Sequence, residues 1–116
     1  MEMNYCRRCG SPLTQTASCA YRCEGGHTIF ANPVPSAGLF LVNEKDELLI
    51  AIRDIDPGKG RHNIPGGFLD VGETIEQGLA REVREELGLP AESYTSPQFL
   101  CSGTDEYEVG DEARTV

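Results

Sequence analysis

The sequence predicts a mixed α/β domain behind a small cysteine-rich unit. Three observations point there. Residues 37–53 read as two apolar strands joined by a polar turn, residues 74–89 read as one amphipathic helix, and four of the five cysteines fall within the first 23 residues. A strand period followed by a helix period implies a sheet with a helix packed on it. With 116 residues, 39% hydrophobic and 25% charged, the chain is domain-sized and globular in composition.

Taken in order, Cys6-Arg7-Arg8-Cys9-Gly10 is a C-x2-C-G knuckle, a tight turn that aims two thiolates at one point. Such ligands suit tetrahedral zinc. The second pair is either Cys19-x3-Cys23, giving four cysteines, or Cys23-x3-His27, giving three cysteines and a histidine. We favour Cys6, Cys9, Cys23 and His27: the gap from Cys9 to Cys23 leaves room for a β-hairpin, and Gly25-Gly26 lets the backbone turn before His27. Four protein ligands leave no position for water, so the zinc would be structural. A unit this small would draw much of its folding energy from the metal. The first residues, MEMNYCRRCG, lack an apolar signal core, and no apolar run approaches about 18 residues. A cytoplasmic location without membrane association is therefore expected, where metal binding is favoured over disulfides.

Asn32-Pro33-Val34-Pro35 is a stiff connector. Ala37–Val42 and Glu47–Arg53 then read as strands of a hairpin around the turn Asn43–Asp46. Asp54–Asn63, with Pro57, Gly58 and Gly60, reads as a loop. Arg53, Lys59, Arg61 and His62 are basic residues that either face a phosphate or are simply solvated; Arg53 is the one expected to touch substrate. Ser96–Ser102 suggests a short strand, Asp105–Glu112 an acidic turn, and Ala113–Val116 the beginning of another strand. Cys101, among apolar residues, reads as a small packed hydrophobe.

The helix carries the chemistry. Thr74 is its N-cap, Gln77 completes a capping box, and Gly88 followed by Leu89-Pro90 ends it. Ile75, Leu79, Val83 and Leu87 mark a buried stripe. Glu82, Glu85 and Glu86, at i, i+3 and i+4, share a second stripe, with Gly78 on the same face. Each like-charge pair costs an isolated helix about 0.2–0.5 kcal/mol, and Gly costs roughly 1 kcal/mol relative to Ala. A divalent cation with oxygen ligands would remove the repulsion; otherwise the face is merely solvated.

Residues 67–89 match G-x5-E-x7-R-E-U-x-E-E-x-G-U, with U a bulky aliphatic, at Gly67, Glu73, Arg81, Glu82, Val83, Glu85, Glu86, Gly88 and Leu89. This resembles the Nudix box of the Nudix hydrolases. The resemblance implies an α/β/α sandwich and Mg²⁺- or Mn²⁺-dependent hydrolysis of a nucleoside diphosphate linked to another moiety. Glu82, Glu85 and Glu86 would be the catalytic, metal-binding carboxylates, with the Gly66 carbonyl as a further ligand. Gly66 and Gly67 would approach the substrate, and Glu73 would pair with Arg81. In many relatives the general base is a glutamate beyond the box, which here makes Glu106, Glu108 and Glu112 candidates beside Glu82 and Glu85.

The cysteines resemble the zinc ribbon before the Nudix domain in the NADH pyrophosphatase group. The chain therefore divides into a ribbon at residues 1–31 and a Nudix domain at residues 32–116. NADH or a similar dinucleotide is the implied substrate, although the S-Q-P-W-P-F-P-x-S signature of that group is absent. ADP-ribose is the alternative, and a non-catalytic nucleotide- or protein-binding module is the alternative of another class. A net charge of −9 argues against a broad grip on nucleic acid and leaves a small nucleotide as partner. By the same resemblance the chain stops before the sandwich is complete. An uncovered apolar face and an open sheet edge would then favour self-association, such as a homodimer, with weak or no activity.

Overall fold

The computed structural model describes residues 3–56, 58–109 and 112–115, with the backbone alone for 107–109 and 112–115. It divides into two compact units, one from Met1–Pro33 and Asp105–Thr115, the other from Val34–Thr104.

In the first unit, β1 (Leu13–Ala17), β2 (Ala20–Cys23) and β3 (Thr28–Phe30) form an antiparallel sheet in the order β1-β2-β3. Its core is minimal: buried Cys6, Cys23 and Ile29, with Met3 and Leu13 packed against them. Two of the three buried side chains are cysteines, so the interior consists largely of thiols and their turns.

In the second unit, β4 (Ser36–Gly38) pairs antiparallel with β7 (Gly66–Phe68), and β5 (Ala51–Ile52) pairs with β6 (His62–Asn63). The helix α1 spans Ile75–Leu87 and packs on β4 and β7. Leu79 and Val83 from α1 close with Leu39 into the core, flanked by Ala37, Leu41 and Leu87. Among the described residues this is the one helical layer on the sheet.

Several expectations are corrected. The hairpin at 37–53 keeps its turn, where Asn43 Oδ1 accepts from the N–H groups of Lys45 and Glu47 at 2.9 Å. Its regular pairing shrinks to a bridge at Val42↔Leu48, and β4 takes its long-range partner from the glycine strand at 66–68. Ser96–Ser102 forms no strand and follows a 3-10 turn at Ala91–Ser93. The acidic stretch read as a turn holds β8 (Glu106–Val109), which pairs with β9 (Glu112–Thr115). The expected final strand thus falls in β9, except Val116, which lies outside the described residues. Cys101 is exposed rather than packed. Ile75 stands 54% exposed, so the buried stripe is Leu79 and Val83 with half-buried Leu87.

Candidate functional site

The β4–β7 register sets the stage. Ser36, Ala37 and Gly38 lie opposite Phe68, Gly67 and Gly66. The Leu39 N–H donates to the Pro65 carbonyl at 2.8 Å and the Leu69 N–H to the Pro35 carbonyl at 3.0 Å. Antiparallel pairs alternate, so Gly66 and Phe68 turn their own N–H and C=O groups away from β4. Side chains of α1 meet that outer edge. The Gly66 N–H donates to Glu86 Oε2 at 3.2 Å, and Arg81 Nη2 donates to the Phe68 carbonyl at 2.9 Å. Helical side chains thereby supply partners where a neighbouring strand would otherwise stand.

Gly66 is sterically required, and Gly67 leaves the space that the Glu82 carboxylate occupies. Gly66 adopts φ +148°, and a Cβ there would strike the Ala37 carbonyl oxygen and lie 2.7 Å from Gly38 Cα. A Cβ on Gly67 would fall 2.6 Å from the Glu82 carboxyl carbon. Glu82 therefore rests directly on the strand backbone, its side chain only 16% exposed.

Arg81 ties the face together. Its Nε and Nη2 donate to the two Glu73 oxygens at 2.8 and 2.9 Å, a bidentate pair. Its Nη1 donates to Glu82 Oε1 at 2.8 Å and reaches Glu85 Oε2 at 3.5 Å. Asp70 Oδ2 lies 3.5 Å from Arg81 Nε, and the Asp70 N–H donates to Glu73 Oε2 at 2.8 Å. The Arg81 guanidinium, with the Asp70 N–H, holds the Glu73 carboxyl down at about 2. Hydrogen bonds to Glu73 and then Glu82 push Arg81 above its ordinary value.

Gly78 has a packing reason that sequence reasoning missed. A Cβ there would run into Leu69 Cδ2 and come within 3.2 Å of Glu73 Oε2. The loop carrying Leu69 and Glu73 lies directly on the helix, and a mid-helix glycine was the available signal. The N-terminal cap is as read: the Gln77 N–H donates to Thr74 Oγ1 at 3.2 Å and the Thr74 N–H to Gln77 Oε1 at 2.9 Å.

The three box glutamates are placed differently from one another. Glu82 is held by Arg81 and Gly67, Glu86 by the Gly66 N–H, and Glu85 is 59% exposed. Their donor chemistry, hard oxygens beside a backbone that carries no side chain, fits Mg²⁺ or Mn²⁺. Glu106 is exposed, whereas the side chains of Glu108 and Glu112 lie outside the described residues. Arg53 is half-buried and sits on the β5–β6 hairpin.

The ribbon gathers a second donor set. Ligand atoms of Cys6, Cys9, Cys23 and His27 all lie within 4.8 Å of one another, and among the described residues they are the one such group. Cys6 Sγ and Cys23 Sγ are each 3.6 Å from His27 Nδ1, and Cys9 Sγ is 3.7 Å from Cys23 Sγ. A tetrahedral zinc with Zn–S near 2.3 Å and Zn–N near 2.05 Å requires S···S of about 3.8 Å and S···N of about 3.6 Å. The observed spacings fit. Cys19 lies outside this group and is exposed. The Arg8 N–H points at Cys6 Sγ at 3.4 Å, and the Gly10 N–H closes the knuckle on the Cys6 carbonyl at 2.8 Å.

Electrostatics differ among the four. Bonds to Ser11, and then to His27, lower the Cys9 thiol to about 6. Burial pushes Cys6 up, but N–H donors from Arg8 and Cys9 outweigh it and leave Cys6 below its ordinary value. Burial dominates at Cys23 and raises it. His27 is raised by its contacts with Cys9 and Cys6.

With this geometry in hand, the similarities to known proteins are specific. The NUDIX domain family model matches residues 32–113. The chain is 32% identical over 90 residues to the mitochondrial NAD(P)H pyrophosphatase NUDT13 of Homo sapiens, covering 77% of this chain and 25% of that protein. It is 30% identical over 117 aligned residues to the NAD-capped RNA hydrolase NudC of Salmonella heidelberg (strain SL476), covering 92% of this chain and 45% of that protein. A shorter match, 41% over 56 residues, links it to the ADP-ribose pyrophosphatase of Methanocaldococcus jannaschii, with 47% and 33% covered. The crystal structure of a NUDIX hydrolase from Nitrosomonas europaea superposes with a TM-score of 0.59 at 29% identity, covering 72% of this chain and 51% of that one. The chain thus spans about half or less of the length of these relatives.

Proposed function

The chain belongs to the Nudix family, and from that premise we propose that it hydrolyses the diphosphate bond of a nucleoside diphosphate linked to another moiety, with NADH or a similar dinucleotide as substrate. The support is the arrangement of Glu82 and Glu86 against the Gly66–Gly67 backbone. Residues 1–31 would be a zinc ribbon, residues 32–116 the Nudix domain, and the location cytoplasmic.

Glu82, Glu85, Glu86 and the Gly66 carbonyl would hold Mg²⁺ or Mn²⁺. When bound, the ion supplies Lewis-acid stabilisation of the phosphates and lowers the pKa of a coordinated water. The chain's own residues do the rest. Glu73 fixes the Arg81 guanidinium, which in turn orients the Glu82 carboxylate over Gly67. A carboxylate, Glu82 or Glu85, would accept the proton of the attacking water. The new P–O bond forms in line as the bridging P–O bond breaks, and NADH would yield AMP and reduced nicotinamide mononucleotide. Arg53 would contact substrate phosphate. Cys6, Cys9, Cys23 and His27 would hold zinc structurally, since four protein ligands fill its shell.

ADP-ribose is a second reading, favoured by the match to the archaeal ADP-ribose pyrophosphatase. A screen of NADH, NAD⁺, ADP-ribose, diadenosine polyphosphates and nucleoside triphosphates with Mg²⁺ and Mn²⁺ tests both. Preferential cleavage of NADH supports the first reading, preferential cleavage of ADP-ribose the second. Cleavage of none, in protein that retains its fold and is monomeric by size-exclusion chromatography, would contradict both.

A further inference from the structure

The three sulfurs of the ribbon do not share the same surroundings. Cys6 and Cys23 are buried, whereas Cys9 is exposed. Backbone N–H groups serve the two buried sulfurs. Arg8 and Cys9 direct theirs at Cys6, the Arg8 N–H at 3.4 Å, and Gly25 and His27 direct theirs at Cys23. Cys9 receives the Ser11 N–H and, beside it, a side chain: Ser11 Oγ stands 3.4 Å from Cys9 Sγ. Gly25, which also borders this sulfur, has no side chain to offer; a Cβ there would lie 3.5 Å from both Cys9 Sγ and Cys23 Sγ.

The turn holds the Ser11 hydroxyl in place. The Ser11 carbonyl accepts the Cys6 N–H at 2.8 Å, which ties the far end of the knuckle to its start. Pro12 follows, restricting Ser11 to extended backbone, and pairs with Tyr5 in an isolated bridge. Ser11 itself is half-buried.

Zinc would change what this contact does. A free thiol can donate to the hydroxyl oxygen. A zinc-bound sulfur is a thiolate, carries no proton and can only accept. The Ser11 O–H would then donate to Cys9 Sγ. Three thiolates outweigh the charge of one Zn²⁺, so negative charge remains on the sulfurs, and donors from outside the ligand set offset it. At Cys6 and Cys23 these donors are backbone groups, which a side-chain substitution does not remove. At Cys9 part of the support is a side chain, so the residue at position 11 sets it.

We propose that Ser11 is a positioning residue of the metal site: its hydroxyl donates to the Cys9 thiolate, fixes the orientation of that ligand and raises zinc affinity. The proposal rests on the zinc reading given above and extends it beyond the four ligands.

The test is zinc competition with a chromophoric chelator on the reduced chain. It is paired with absorption spectra of the cobalt(II)-loaded protein and circular dichroism to check folding. Ser11→Ala and Ser11→Val are each expected to weaken zinc about tenfold, the lower end of what losing an outer hydrogen bond costs a metal site. Their thiolate-to-cobalt charge-transfer band should move to lower energy, because a sulfur without the donor holds its electrons less tightly. Ser11→Thr keeps the hydroxyl within the shape of valine and should leave both readouts near wild type. An unmoved band in folded, cobalt-loaded Ser11→Ala, wild-type zinc affinity in that variant, or Ser11→Thr behaving as Ser11→Val does, would each overturn the proposal while leaving the zinc site standing. A wild-type chain that takes up neither zinc nor cobalt would remove the zinc site itself, and the role of Ser11 with it.

Discussion

In the ribbon, three sulfurs and an imidazole nitrogen stand within 4.8 Å of one another, whereas on α1 three carboxylates share a helix face and none of that convergence. Glu82 is tied to Arg81, Glu86 to the Gly66 N–H, and Glu85 opens to solvent. The difference follows from charge. Three ionised carboxylates repel, so the fold satisfies them separately with a guanidinium and a backbone N–H. Thiols and an imidazole can share hydrogen bonds with one another, as Cys6, Cys9, Cys23 and His27 do, so they can be gathered beforehand. One donor set is gathered and closed on itself. The other holds its donors on hydrogen bonds that a cation must replace or share.

Breaking the closed site should have the largest effect. Cys6→Ser or Cys23→Ser should reduce zinc affinity by a hundredfold or more and unfold the ribbon, because these two cysteines form most of its buried interior. Zinc competition with a chromophoric chelator measures this. Cys19→Ser should bind zinc as wild type does, since Cys19 lies outside the cluster. Next comes the open site. Glu85→Gln or Glu86→Gln should lower turnover by a hundredfold or more, on the order of 3 kcal/mol in barrier, with the helix intact by circular dichroism.

A third change sharpens the role of the loop that holds Arg81. Gly78→Ala raises helix propensity by about 1 kcal/mol, yet its methyl would collide with Leu69. We expect a net loss of up to about 2 kcal/mol in urea unfolding, an overpacking cost of about 1–3 kcal/mol less the gain in propensity. A gain would mean that the loop moves away easily.

The smallest effect is acidic. Glu73 is lowered from 4.5 to about 2 in the fold, so it binds protons less readily folded than unfolded. Its pairing with Arg81 stabilises fully above about pH 4.5 and loses that contribution as the pH falls toward 2. Urea midpoints between pH 7 and 3 should fall more steeply in wild type than in Glu73→Gln.

Much of the site was legible because it is local in sequence. The spacing of Glu82, Glu85 and Glu86, the Thr74 cap and the Cys6–Cys9 knuckle each depend on residues within one or two turns. What was not legible is long-range. The pairing of 36–38 with 66–68 brings together segments thirty residues apart, one of them a glycine pair with poor strand propensity. The face positions of the helix were readable, but not how far along α1 the sheet extends, and so Ile75 was placed inside when it stands outside. Ser96–Ser102 has strand-like composition but no pairing partner among the described residues, and composition alone does not make a strand.

The contrast between a closed and an open metal site is tested most directly by titrating Mn²⁺ into zinc-loaded protein and following paramagnetic broadening of amide signals. Broadening is expected to centre on Gly66, Gly67 and the Glu82–Glu86 turn and to be lost in a Glu85→Gln, Glu86→Gln double variant, with ribbon signals unchanged and one zinc retained. Broadening centred on Cys6, Cys9, Cys23 and His27, or unaltered broadening in the double variant, would contradict it.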